Sequence, residues 1–139
     1  MDRLNDVARL LVGSWVCASD DPLPADTELL SAAIHHAIAE GAFPSWVKDE
    51  LHFPETRLGR LCIEVPTILE RAQDLELTSA PNPSYTKVKP RVTRDTVRLL
   101  LDRVGISREQ ASTWGLALAA GLKKSLEEQS KLKVKTAAG

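Results

Sequence analysis

Asp26-Thr27-Glu28-Leu29-Leu30-Ser31-Ala32-Ala33-Ile34-His35-His36-Ala37-Ile38-Ala39-Glu40-Gly41 is the stretch whose reading decides the fold. Leu30, Ala33, Ile34, Ala37 and Ile38 recur every three or four residues, which lines them along one face of a helix. Asp26 or Thr27 can accept free amide protons of the first turn, and Gly41 suits the left-handed conformation that ends many helices.

The same period extends outward on both sides. Upstream, Leu4, Val7, Leu11 and Trp15, with Leu10 partly, share a face over residues 4–18, until Ser19-Asp20-Asp21-Pro22-Leu23-Pro24 breaks the helix. Downstream, Pro44 can open a short helix between Phe43 and Phe53 whose apolar edge is Trp46, Val47 and Leu51. Pro54-Glu55 can open another that carries Leu58, Leu61 and Cys62. Val65-Pro66 then forces a break or kink before Ile68, Leu69, Ala72 and Leu75, so a helix pair is expected here. Residues 78–92 hold Pro81, Pro83 and Pro90 and no helical period, which predicts an extended connection or a short edge strand. Thr93 can cap a helix to about Val104, with Val97, Leu100, Leu101 and Val104 inward. A last helix then uses Ala111, Trp114, Leu118, Leu122 and Leu126. Beyond Glu128 the chain is expected to fray into a basic tail over 129–139. The expected fold is all-α: a compact helical bundle of about five to seven helices with a proline-rich extended connection near 78–92.

A chain of 139 residues fits one domain, 1–139, and can bury roughly two-thirds of the surface it exposes when unfolded. With 43% hydrophobic and 27% charged residues it matches neither a disordered nor a membrane class, and no apolar run approaches the roughly 20 residues of a span. The start Met1-Asp2-Arg3-Leu4-Asn5-Asp6 lacks the basic head and apolar core of a secretory signal, so a cytoplasmic location is expected. Cys17 and Cys62 lie far apart in apolar surroundings and read as reduced core thiols.

The net charge of −1 conceals a division at Thr86/Lys87. Residues 1–86 carry 6 Lys+Arg against 14 Asp+Glu, a balance of −8, and residues 87–139 carry 12 against 5, a balance of +7. An acidic helical body over 1–80 is thus joined to a basic helical part over 81–139. The basic part can meet a polyanion, or the two parts can neutralise each other within one fold or between subunits.

Within the basic part stands Leu100-Leu101-Asp102-Arg103-Val104-Gly105-Ile106-Ser107-Arg108-Glu109-Gln110-Ala111-Ser112-Thr113-Trp114. Gly105 permits a turn between two helices, Ile106 can plug the gap between them, and Ser107 can cap the second. Residues 95–115 resemble the helix-turn-helix core of small phage repressors of the Cro and lambda-repressor type. The resemblance implies that the second helix enters the major groove with Arg108, Glu109, Gln110, Ser112 and Thr113 toward the DNA. Lys87, Lys89, Arg91, Arg94, Arg98 and Arg103, with Lys131, Lys133 and Lys135 of the tail, would supply the attraction to phosphate. The sequence departs from the pattern at Leu101, where the family has a small residue, and at Ala111, where it has a β-branched one. That exchange can conserve packing volume, or it can mark an ordinary helical hairpin.

No other segment carries chemistry. His35 and His36 are adjacent on a helix and point about 100° apart, and neither they nor His52 has a Cys or carboxylate cluster at ligand spacing. Asp20, Asp21, Asp26 and Glu28 gather where negative charge favours the positive end of a helix, and Trp15, Trp46 and Trp114 lie on apolar stripes as core anchors. Without a phosphate loop, nucleophile elbow or paired carboxylates, no catalysis, metal or cofactor is expected. Two readings remain. One is a DNA-binding or transcription-associated protein that uses the helix-turn-helix-like segment, with a homodimer as one arrangement. The other is a protein-protein interaction module (an adaptor, an inhibitor or a subunit of a larger assembly) with no nucleic-acid role.

Overall fold

The computed structural model describes residues 3–56, 59–80 and 86–138. In chain order they form α1 (Leu4–Ala18), β1 (Leu23–Pro24), α2 (Thr27–Ala39), α3 (Ser45–Glu50), β2 (Glu55–Thr56), β3 (Gly59–Arg60), α4 (Val65–Asp74), β4 (Lys87–Val88), α5 (Val97–Val104) and α6 (Arg108–Ala138). The chain is mostly helical, with the helices packed together, as the apolar periods predict.

α1 is the axis of the bundle. It packs on α4, α5 and α6, while α2 packs chiefly on α6. Its burial exceeds the one-sided pattern read from the sequence, since Val12, Gly13, Ser14 and Val16 are buried along with Leu4, Val7, Leu11 and Trp15. A helix covered on nearly every side must be apolar nearly all round, and α1 carries few charges to contradict that. α2 begins where its cap requires, with the Asp26 carboxylate accepting the Leu29 amide proton at 3.0 Å.

Two glycines let α6 lie unusually close to its neighbours. A β-carbon at Gly115 would collide with the Ser14 carbonyl oxygen of α1, and one at Gly121 would stand 2.8 Å from the β-carbon of His36 on α2. Along that side Ala111, Leu118 and Gly121 are buried, and the ring of Trp114 meets Phe43 edge-on at 5.8 Å.

Three expectations are corrected. In place of the helix expected to open at Pro54-Glu55, β2 and β3 pair antiparallel, Glu55 with Arg60 and Thr56 with Gly59. Gly59 weakens a helix there. Leu58 lies outside the described residues. α5 begins at Val97, after a turn in which the Thr93 carbonyl oxygen accepts the amide protons of Thr96 and Val97. Finally, α6 does not fray at Glu128 but continues to Ala138, because no proline or glycine interrupts the chain between Gly121 and Gly139. Leu126, read as inward, is 47% exposed there.

The proline-rich connection is extended where it is described. β4 pairs with β1, Val88 against Leu23 and Lys87 against Pro24. On its other side the same run bridges Thr78 to Pro90, with the Ser79 amide donating to Lys89 and the Arg91 amide donating to Leu77. Pro81 and Pro83 lie outside the described residues.

Candidate interaction surface

The corner between α5 and α6 is built by local sequence. Gly105 takes the left-handed conformation, φ 71°, and its amide donates to Asp102 while that of Ile106 donates to Leu101. These two bonds close the end of α5 as a Schellman turn. At the start of α6 the Ser107 hydroxyl accepts the Gln110 amide proton at 3.1 Å and the Gln110 side-chain oxygen accepts the Ser107 amide proton at 3.1 Å, a reciprocal capping box. Ile106 is buried in the corner.

Beyond the corner the two helices part. α5 and α6 pack on α1 and meet each other little, and the δ-carbon of Leu101 lies over Gly13 of α1. The bulk of Leu101, unexpected for a repressor core, therefore fills a hollow in a different helix.

Several residues assigned to DNA by the resemblance are engaged at the carboxyl end of α1. That helix has no cation in its own last turn. Arg94 reaches it from the turn before α5: its Nε donates to the Val16 carbonyl at 3.4 Å and its guanidinium pairs with Asp20 at 3.1 Å. Ser112, half-buried on α6, donates its hydroxyl proton to the Cys17 carbonyl at 3.4 Å. Arg108 donates to the Arg94 carbonyl at 3.2 Å. Burial pushes the Cys17 thiol up, against the pull of the neighbouring Arg108 and Arg94 guanidinium groups. Donors and cations thus collect where the α1 dipole is negative and its last carbonyls lack helical partners. Glu109 and Thr113 are exposed, with the Thr113 hydroxyl bonded to the Glu109 carbonyl.

The remaining cations are placed differently. Lys89, Arg91, Arg98 and Arg103 are exposed and have no ion-pair partner among the described residues. Lys87 is exposed on β4 and Lys131 on α6, while the side chains of Lys133 and Lys135 lie outside the described residues. Arg91 and Arg103 face a groove of about 310 Å³ whose apolar wall is Leu75, Leu77, Val92, Leu99 and Leu100. Leu99 is 68% exposed, and Arg103 stands one helical turn beyond it. Arg9, also at the groove, is held by Asp6 at 2.9 Å. The charge asymmetry pointed to a basic part, but the exposed leucine at its centre was not found: Leu99 falls outside the apolar period of its own helix, and lone exposed leucines are ordinary.

The other titratable cluster is His52, Cys62 and Glu64. The Glu64 carboxylate accepts the His52 amide proton and meets the His52 ring at 3.0 Å, with the Cys62 sulfur 3.7 Å away. Burial pushes the Cys62 thiol up to about 11, so it stays protonated, and its own amide is fixed by the Ser31 hydroxyl at 2.9 Å. The Ser31 bond ties the 51–64 segment to α2. Among the described residues no group of three or more His, Cys, Asp or Glu side chains could hold a metal ion, and no helix is long and apolar enough to cross a membrane. No protein-family model, curated protein or solved structure matches the chain.

Proposed function

We propose that the chain is a non-enzymatic protein-interaction module that receives an acidic partner on the basic face formed by α5 and the strand leading to it. One observation carries this reading: Arg91 and Arg103 have no ion-pair partner among the described residues and stand beside exposed Leu99, with Lys89 and Arg98 exposed on the same two segments. Cations that served only to neutralise the acidic body would be paired with it, as Arg94 is with Asp20. The test is binding of a labelled oligoglutamate of about 12 residues at low salt, compared between the native chain and an Arg91→Glu, Arg103→Glu variant. The variant loses about tenfold or more in affinity, since like charges now oppose. Equal binding by the two proteins contradicts the reading.

A second reading keeps duplex DNA as the partner, with a homodimer presenting two corners. It is favoured by the Gly105 turn and the Ser107 to Gln110 capping box, which hold the α5 to α6 corner in a defined shape. Binding to random duplex DNA would then fall steeply with salt; Arg108→Ala would relax sequence preference and Lys133→Ala would weaken all sequences equally. Absence of binding at low salt removes it.

A further inference from the structure

Resting on the first of these readings, we infer that the groove between α5 and the 75–77 and 91–92 segments seats an acidic amphipathic helix from another protein, its apolar face on Leu99 and its carboxylates toward Arg91 and Arg103.

Three features define that occupant. The wall is apolar and comes from three segments, Leu75 and Leu77 after α4, Val92 after β4, and Leu99 and Leu100 on α5, with Leu99 the most exposed large apolar residue among those described. Phosphate and sugar offer nothing for such a wall, whereas leucine-rich helix faces do. Arg91 and Arg103 supply two guanidinium groups with no ion-pair partner among the described residues, each able to take a carboxylate in two parallel hydrogen bonds, while Arg9 is already held by Asp6. A partner with carboxylates flanking apolar anchors complements both.

Strand addition, the other common way to hold a peptide, is blocked nearby. The 86–91 run spends its backbone on β1 at one side, through Leu23 and Ala25, and on Leu77, Thr78 and Ser79 at the other. Against the 86–91 run a partner therefore docks through side chains, which is how an amphipathic helix in a groove binds. At about 310 Å³ the groove has the lower size of ligand cavities and lies open, so it takes a few side chains rather than enclosing a cofactor.

The experiment is fluorescence anisotropy on the full chain with three labelled probes of about 16 residues. One is a glutamate-rich peptide with leucines at i, i+3, i+4 and i+7; the second has the same composition scrambled to remove that period; the third is oligoglutamate. The periodic peptide binds about tenfold or more tighter than the other two, and Leu99→Ser, a change at an exposed site, abolishes that advantage while leaving oligoglutamate binding unchanged. Equal binding of all three probes with no effect of Leu99→Ser overturns the helix seat but leaves the basic face standing. No binding of any probe overturns both. Light scattering that shows a dimer which Leu99→Ser turns into a monomer also overturns the inference, because a second copy then covers the groove.

Discussion

Gly115 illustrates how one residue sets the distance between two helices. The Ser14 carbonyl oxygen of α1 occupies the space a β-carbon would need, and the Ala18 β-carbon lies 2.6 Å from that point. Gly115→Ala therefore forces α1 and α6 apart and is expected to cost about 1–3 kcal/mol. A lower urea midpoint with unchanged slope shows this; an unchanged midpoint contradicts the close approach. Cys62 gives a second test. Its folded-state pKa is about 11, above the ordinary value of 9.0, so the folded state holds the proton more tightly than the unfolded one. The stabilisation is complete below pH 9 and is lost as pH rises through 11. At pH 8 an alkylating reagent should label Cys17 in the folded protein and Cys62 only after unfolding, read by mass spectrometry; early labelling of Cys62 contradicts its burial. Which residues were legible in the sequence follows from how far each reaches. Gly105, Ser107 and Asp26 act within a few residues of themselves, and their roles could be read directly. Arg94 and Ser112 act on carbonyls 78 and 95 positions away, and nothing local announces a cap supplied from such a distance.

At the scale of elements, α4 ends with a strained residue. The amides of Glu76 and Leu77 donate to Gln73 and Ala72, the pattern that usually places glycine in the left-handed position, yet that position is Glu76 at φ 60°. An L-residue pays about 1–2 kcal/mol for this conformation, partly offset by the greater unfolded-state freedom of glycine. Glu76→Gly should therefore raise stability by about 0.5–1 kcal/mol, visible as a higher thermal midpoint; a lower midpoint would show that the Glu76 side chain stabilises the turn by more than the strain costs. The helices α1, α2, α5 and α6 were legible because apolar residues recur at 3.6 spacing for two turns or more. The β2 to β3 hairpin was not. Residues 55–62, with Leu58, Leu61 and Cys62 at helical spacing, suit a helix as well as a hairpin by sequence, and only pairing decides. The far end of α6 was misread for a related reason: basic composition suggested fraying, whereas the absence of any breaker lets the helix run on.

For the molecule as a whole, the two charged segments of the chain pack into one bundle. The acidic segment supplies most of the bundle's axis and its covering helices, and the basic segment adds an edge, a short helix and the long α6. Composition showed the sign of the basic part but not which cations remain free, because that depends on where α1 ends in space. Arg94 and Arg108 gather at that end, while Arg91 and Arg103 flank Leu99 in the groove. Amide proton-nitrogen spectra of the full chain, titrated with an acidic peptide of about 12 residues, separate these two places. Shifts are expected at Leu75 to Leu77 and over residues 88–103, with Glu109 to Leu116 on α6 unmoved; shifts concentrated on Glu109 to Leu116, with Leu99 and Arg103 unmoved, would contradict the groove as the seat.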